Sequence, residues 1–284
     1  MRRARTVTAA LPTQLGRHDG LAYCLWLPDR PPRGGIVILH GADSGKESHH
    51  DFARVVLAAG FAAVTFDQRG HGESTGPMDA RALADVVSMA SLVRSATGDP
   101  SLQIALRGSS MGGYLAIVAA DEADARAVVA ICPASSEGLV RGLRAGRFKF
   151  DADAEAVEAF LTSHNLFTAV KALRAPLLLL HAEGDEQVPV EHSRELAATV
   201  RSPGSRLIAL PGGHHRSIQH DEELQAVSLS FIRRALMPDA AEDPAEQLTG
   251  ARDRRAGGSG GLGDRVAERL PGACDDRADG RVHG

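Results

Sequence analysis

Short, continuous apolar runs alternate with amphipathic segments along most of this chain. Helical spacing of apolar residues occurs in segments 49–60, 82–98, 111–123, 190–200 and 223–236. The apolar runs between them have strand length and are GIVILHG (35–41), FAAVTF (61–66), LQIAL (102–106), AVVAIC (127–132), APLLLLHA (175–182) and SRLIAL (205–210). Continuous apolar runs are typical of strands that are covered on both faces. The alternation therefore predicts an α/β fold, with a mostly parallel twisted sheet and helices on both of its faces.

Three segments depart from this alternation. Asp19-Gly20 precedes the run LAYCLWLP, and this pattern predicts a hairpin. Residues 134–172 lie between two predicted strands without a strand-like run, so we expect a small helical cap there. Residues 238–284 contain no aromatic residue and include GGSGGLG, a composition typical of a disordered tail. The folded domain is thus predicted to span residues 1–237.

Composition narrows the classes of function. The 284 residues carry a formal net charge of −4 from interspersed signs, so no basic footprint indicates nucleic acid. The three cysteines, Cys24, Cys132 and Cys274, are far apart and predict neither a disulfide framework nor a cysteine zinc site. No apolar run reaches the length of a signal peptide or a bilayer span. We therefore expect a cytoplasmic protein with no membrane partner.

The stretch RGSSMGGYLA (107–116) joins a predicted strand to a predicted helix. A nucleophile on such a turn needs small residues two positions before and two after it, because neighbouring elements crowd those positions. Ser110 has Gly108 and Gly112 there, whereas Ser109 has Arg107 and Met111. The spacing therefore predicts that Ser110 is the nucleophile. A glycine-rich helix start with a capping serine is the competing interpretation.

A serine hydroxyl is a poor nucleophile at its ordinary pKa and needs a base that an acid orients. For this type of turn the acid follows the serine in the chain and the histidine comes last. The segment LLLLHAEGDEQVPV places Asp185 directly after a predicted strand, with Glu183 and Glu186 as nearby competitors. Asp185 is the predicted acid.

The base should lie beyond the last predicted strand. The segment RLIALPGGHHRSIQHD offers His214 and His215 there, and His220 further on. Adjacent residues on a loop point in different directions, so one of His214 and His215 is expected to be the base. The residues alone leave open which of the two it is.

A serine that attacks a carbonyl group also requires donors for the developing oxyanion. We expect one N–H from Met111, the residue after the nucleophile, and one from Ala42 in the loop after the run ILHG. His40 in that loop is expected to be structural. The cluster His49-His50-Asp51 matches no zinc-binding spacing such as H-E-x-x-H, so neither a metal nor another cofactor is predicted.

Together these motifs resemble the α/β-hydrolase superfamily over roughly residues 15–237. The matching pieces are LHGADSG, FDQRGHGES (66–74), GSSMGG, GDEQVP and PGGHH. The likeness is closest to the serine esterase, dienelactone-hydrolase-like and serine-aminopeptidase-like branches, although dienelactone hydrolases use cysteine where Ser110 stands. The family's histidine commonly ends a Gly-x-x-His pattern, and this resemblance selects His215.

The resemblance implies a cofactor-free serine hydrolase of a small-molecule acyl substrate, most simply a carboxylic ester. Ser110, His215 and Asp185 would form the triad, and Met111 and Ala42 the oxyanion hole. A peptidase, thioesterase or acyltransferase could use the same triad. A non-catalytic binding protein on the same fold is the third alternative.

Overall fold

The chain enters its sheet through a tight hairpin at one edge. In the computed structural model, which describes residues 9–237, strands β1 (Gln14–His18) and β2 (Leu21–Trp26) pair in antiparallel fashion. Asp19 and Gly20 between them have φ of 51° and 83°. Positive φ at both positions is what a two-residue type I′ turn requires, so the predicted hairpin is confirmed.

Six further strands complete the sheet. The strands are β3 (Gly35–Leu39), β4 (Ala62–Phe66), β5 (Ile104–Ser109), β6 (Ala125–Ile131), β7 (Leu177–Ala182) and β8 (Arg206–Leu210). The order across the sheet is β1-β2-β4-β3-β5-β6-β7-β8. β2 runs antiparallel to β4, and every pair from β4 to β8 is parallel. The predicted fold class, a mostly parallel α/β sheet, is confirmed.

Helices cover both faces of this sheet. They are α1 (His50–Ala58), α2 (Ala82–Thr97), α3 (Met111–Val118), α4 (Ser136–Arg144), α5 (Ala154–Ser163), α6 (Leu166–Ala172), α7 (Val190–Thr199) and α8 (Glu222–Leu236). A short 3₁₀ helix, Lys46–His49, leads into α1. α1 and α8 cover one face, while α2, α3 and α7 pack on the other.

Strand periodicity sorts the apolar side chains into two cores. In β3, Val37 and Leu39 pack toward α2 and α3, whereas Ile36 and Ile38 pack toward α1 and α8. All four are buried, and each fully buried side chain of this size contributes about 1.5–3 kcal/mol. This two-sided burial explains why the strands are apolar along their whole length.

The segment between β6 and β7 forms helices α4, α5 and α6. Their N-caps, Ser135, Asp153 and Asn165, each accept a hydrogen bond from the N–H three residues on. α4 and α5 pack on each other, whereas α6 packs between α3 and α7 and so belongs to the layer on the sheet. The part that rises above the sheet is therefore α4, α5 and their connection.

Some expectations fall outside the residues that the structure describes. The predicted disordered tail, 238–284, is one of them. Within residues 9–237, no helix combines the length and the apolarity needed to cross a bilayer.

Candidate active site

The loops after four parallel strands carry the candidate residues. Ala42 follows β3, Ser110 follows β5, Asp185 follows β7 and His215 follows β8. Because the carboxyl ends of parallel strands meet at one edge of a sheet, these loops gather at the same edge, where ligands bind in open α/β sheets.

Ser110 occupies the turn between β5 and α3 in a strained conformation. Its φ of 53° and ψ of −118° lie outside the regions that non-glycine residues favour, and such a backbone costs about 1–3 kcal/mol. The surrounding structure enforces it, since the Ser110 N–H donates to the Ile131 carbonyl at 2.8 Å and the Ala134 N–H donates to the Ser110 carbonyl at 3.1 Å. The side chain stands at the tip of a sharp strand-to-helix turn.

The two glycines that flank Ser110 at a distance of two residues are sterically required. A Cβ on Gly108 would lie 2.1 Å from the Gly112 carbonyl oxygen. A Cβ on Gly112 would lie 2.4 Å from the His40 carbonyl oxygen and 2.5 Å from that of Leu39. All three neighbours are backbone atoms, which cannot rotate away.

Ser109 faces a different environment. It is buried, and its Oγ lies 3.3 Å from Nε2 of the buried His49, on the side of the sheet that α1 covers. Burial, with the nearby Arg107 guanidinium, lowers the pKa of His49 well below its usual value. The Ser109–His49 pair is therefore uncharged at neutral pH, and within residues 9–237 no carboxylate forms a hydrogen bond with the His49 ring.

Asp185 is a fully buried carboxylate that accepts several hydrogen bonds. Its Oδ2 lies 2.7 Å from Nδ1 of His215. Its Oδ1 accepts the N–H groups of Gln187 at 2.8 Å and Val188 at 2.9 Å. The turn GDEQVP therefore supplies backbone N–H donors to the carboxylate of its own aspartate.

A second histidine contacts the same oxygen of the Asp185 carboxylate. His181, in β7, is fully buried, and its Nε2 lies 3.3 Å from Asp185 Oδ2 and 2.9 Å from the Val188 carbonyl. Its Nδ1 lies 2.7 Å from the Ser193 hydroxyl in α7. A carbonyl accepts only, so Nε2 carries the proton and Nδ1 accepts from Ser193. The sequence analysis missed His181, although a histidine inside the run LLLLHA, four residues before the acid, is a readable signal.

These donors decide the ionisation of the acid. Burial alone would raise the pKa of Asp185, but the hydrogen bonds from His181, His215, Val188 and Gln187 outweigh it and hold the pKa well below its usual range. Asp185 is therefore an anion at any pH near neutrality.

The structure distinguishes the two adjacent histidines. His215 is buried against Asp185, whereas His214 is exposed. The competitors of Asp185 have other contacts: Glu186 accepts the backbone N–H of His215 at 3.2 Å, and Glu183 pairs with Arg194 at the surface. Neither Glu186 nor Glu183 therefore takes the place of Asp185 beside the His215 ring.

The loop that carries His215 is anchored at its far end. Arg107 in β5 is fully buried and donates from Nη2 to the Gln219 carbonyl at 3.1 Å, with its guanidinium 3.9 Å above the Phe52 ring. His220, the third candidate histidine, contacts Asp51 in α1 through Nδ1 at 2.8 Å. His220 therefore fastens the loop to α1 rather than to Asp185.

The loop after β3 approaches Ser110 closely. A Cβ on Gly41 would lie 3.2 Å from the Ser110 Cβ. His40 Nε2 accepts the Gln68 N–H at 3.0 Å, so its Nδ1 carries the proton and donates to the Gly41 carbonyl at 2.7 Å. In a trans peptide the C=O and the next N–H point in opposite directions. Holding the Gly41 carbonyl therefore aims the Ala42 N–H away from the His40 ring.

The second predicted donor begins a helix. Met111 is the first residue of α3, so its N–H has no intrahelical acceptor, and the positive end of the helix dipole lies there. Within residues 9–237, neither the Met111 N–H at the start of α3 nor the Ala42 N–H in the loop after β3 donates a backbone hydrogen bond.

One group of possible metal ligands exists within residues 9–237. Ligand atoms of Cys132, Asp185 and His215 lie within 4.8 Å of one another. Burial raises the pKa of the Cys132 thiol, which disfavours the thiolate that a metal would bind. His215 Nδ1 is already hydrogen-bonded to Asp185 Oδ2. These residues therefore fit a pair that transfers a proton better than they fit a metal centre.

Comparison with known proteins places the chain in a family. The family model described as serine aminopeptidase, S33, matches residues 30–143. A monoacylglycerol lipase of Mycolicibacterium smegmatis is 30% identical over 247 residues, covering 72% of this chain and 88% of that protein.

Solved structures show the same architecture. The monoacylglycerol lipase of Paleococcus ferrophilus has a TM-score of 0.60 at 19% identity and covers 75% of this chain and 98% of its own. The Est1E protein of Butyrivibrio proteoclasticus with bound ferulic acid has a TM-score of 0.59 at 21% identity and covers 81% and 100%. The 30% identity to the Mycolicibacterium smegmatis protein, together with the sheet order and the strained serine turn, leads to one conclusion: the chain belongs to the α/β-hydrolase superfamily.

Proposed function

We propose that this protein is a serine hydrolase of carboxylic esters that works through Ser110, His215 and Asp185. The observation that carries the proposal is the 2.7 Å contact between His215 Nδ1 and the buried, ionised Asp185. It fixes the tautomer of His215, so that Nε2 carries no proton and can act as a proton acceptor. The monoacylglycerol lipase relative supports an ester as the substrate and makes glycerol monoesters the first compounds to test.

The proposed reaction has two stages. His215 Nε2 takes the Ser110 proton as Oγ attacks the ester carbonyl, and the N–H groups of Met111 and Ala42 stabilise the oxyanion. Collapse of the tetrahedral intermediate breaks the ester bond, and His215 gives its proton to the departing alcohol. Water, deprotonated by the same nitrogen, then hydrolyses the acyl-Ser110 ester and regenerates the hydroxyl.

The decisive test separates the two adjacent serines. Ser110→Ala should lower kcat for p-nitrophenyl acetate by a factor of about 10⁴–10⁶ and abolish labelling by a fluorophosphonate probe. Ser109→Ala is the matched control and should keep labelling and most of the activity, because Ser109 is buried against His49. Loss of labelling in Ser109→Ala alone would place the nucleophile one residue earlier and refute the proposal.

The family model described as serine aminopeptidase favours amide cleavage as a second candidate activity. Paired ester and anilide substrates with the same acyl group distinguish the two. Faster cleavage of the aminoacyl anilide than of the matched ester would favour a peptidase.

A further inference from the structure

Asp43, the residue after Ala42, is held in a conformation that few side chains adopt. Its φ is 56°, in the left-handed region. Its Oδ1 accepts two backbone hydrogen bonds, from the Lys149 N–H at 2.6 Å and the Phe150 N–H at 3.1 Å. Both donors lie in the connection between α4 and α5, more than 100 residues further along the chain. Asp43 thus joins the loop after β3 to the part of the protein above the sheet.

The backbone N–H of Asp43 is hydrogen-bonded to a histidine, His71. The Asp43 N–H donates to Nε2 of His71 at 3.3 Å, while Nδ1 of His71 donates to the Arg69 carbonyl at 3.0 Å. The His71 ring stacks on Phe150, with centroids 4.4 Å apart and planes 25° apart. Both the backbone and the side chain of Asp43 are therefore fixed by one assembly.

The segment that contains Phe150 is itself hydrogen-bonded to the sheet domain. We call residues 147–153 the cap strap. Its main chain is bonded to the loop after β4: the Asp151 N–H donates to Gly70, the Met78 N–H donates to Asp151, and the Asp153 N–H donates to Met78, at 3.1, 2.9 and 2.9 Å. The strap is thus attached to the sheet domain independently of Asp43.

The strap is also packed against the cap helices. Phe148 stacks on Phe150 at 5.3 Å, and the Phe148 ring lies where a Cβ on Gly142 of α4 would be, 2.6 Å from its nearest atom. A continuous series of contacts therefore runs from α4 through the two rings to His71 and Asp43.

We propose that Asp43 is a positioning residue that fixes the Ala42 N–H of the oxyanion hole by clamping its loop to the cap strap. His40 holds the peptide on the N-terminal side of Ala42 through the Gly41 carbonyl, and Asp43 holds the C-terminal side. With both sides fixed, the donor is preorganised before charge develops. This inference rests on the proposed function, since it assigns a role to a loop of the same site.

Two replacements of Asp43 test the clamp. Asp43→Gly keeps the left-handed backbone and removes the carboxylate. It should lower kcat for p-nitrophenyl acetate by roughly 10- to 100-fold with little change in KM, somewhat less than the loss of a whole oxyanion donor. A trifluoromethyl ketone, which forms a tetrahedral oxyanion adduct, should bind weaker by the same factor. Asp43→Asn keeps an acceptor oxygen, tolerates the same backbone and should retain most of the wild-type kcat.

The matched control lies at the other end of the strap. Asp153 also uses its carboxylate to accept a backbone N–H, that of Ala156, but it caps α5 and does not touch the oxyanion loop. Asp153→Ala should lower the melting temperature and leave kcat and the inhibitor affinity unchanged. It therefore separates destabilisation of the cap from misplacement of the oxyanion donor.

Three outcomes would overturn the inference. The first is wild-type kcat and inhibitor affinity in Asp43→Gly, and the second is a rise in KM alone that depends on acyl length. The third is an equal loss of kcat in Asp153→Ala. Failure of the proposed function would instead appear in the wild-type enzyme, as absent ester turnover and absent fluorophosphonate labelling.

Discussion

At the scale of residues, the buried carboxylate of Asp185 contacts the imidazole rings of two histidines. His215 Nδ1 lies 2.7 Å and His181 Nε2 3.3 Å from Asp185 Oδ2, and of the two only His215 is on the loop after β8. His181 is instead locked in place by Ser193 and the Val188 carbonyl. In the proposed mechanism, His215 would transfer the proton and His181 would orient the acid.

The orienting ring can be tested without touching the proposed triad. His181→Phe keeps an aromatic ring and removes the donor, so the pKa of Asp185 should rise and the imidazolium of His215 should be less well stabilised. Because that cation forms only as the proton is transferred, the loss should fall on kcat, by about tenfold, with KM nearly constant. Steady-state kinetics on p-nitrophenyl acetate measure both parameters.

The neighbouring His192, in α7, provides the control for this change. It packs against Phe167 and makes no contact with Asp185, so His192→Phe should leave kcat unchanged. Equal losses in the two variants would mean that His181 acts only through packing.

At the scale of elements, backbone atoms closely surround the junction of β5 and α3. Gly112→Ala would press a methyl group into the backbone of Leu39 and His40, and we expect it to cost about 3 kcal/mol or more of stability. Gly113→Ala is the matched change one residue later. Its Cβ would meet Gly108 and Pro133 at 3.3 Å, a contact that small shifts relieve, so we expect a near-neutral effect. Urea unfolding of both variants compares the costs, and equal free energies of unfolding would contradict this steric account.

The bounds of the strands and helices could be predicted from the sequence only where the segments are apolar. The run LQIAL predicts a strand over 102–106, yet β5 continues to Ser109 because Phe52 and His49 cover Arg107 and Ser109. A charged residue after an apolar run normally indicates the end of a strand, so this extension has no signature in the sequence. The predicted helix 111–123 likewise ends at Val118, where the chain turns toward Asp124, which has a φ of 48°.

The site was predictable where a residue type is required by the chemistry. The serine turn, the acid turn and the histidine loop each have a motif, whereas the contacts that orient them do not. Asp43 bonds to backbone N–H groups of Lys149 and Phe150, and any residue other than proline could supply such groups. Long-range contacts of this kind depend on the folded path of the chain and leave no pattern in the sequence.

At the scale of the whole molecule, buried neutral histidines make the fold sensitive to acid. Burial, aided by the neighbouring His71, lowers the pKa of His40 to about 4, and burial also lowers that of His49. The unfolded chain has ordinary histidines with a pKa near 6.5 and binds more protons than the native state between these values. The contribution of His40 is therefore complete above pH 6.5 and is lost as the pH falls toward 4, by about 3 kcal/mol in total.

Denaturant unfolding at a series of pH values measures this loss. The free energy of unfolding of the wild-type protein should decline steadily from pH 6.5 to pH 4. His40→Asn, which removes one titrating group, should flatten the curve. A curve that stays level down to pH 4 would show that these rings are protonated in the native state.

The attachment of the cap strap has a consequence for how such a protein can evolve. Three of its links to the loop after β4 join main-chain atoms, and every residue except proline carries the same donors and acceptors. Mutations that alter the cap side chains therefore leave this attachment intact, unless proline replaces Met78, Asp151 or Asp153, whose N–H groups are the donors. Descendants of this chain can therefore accumulate changes across α4 and α5 while the cap stays attached to the loop after β4 through the same main-chain hydrogen bonds.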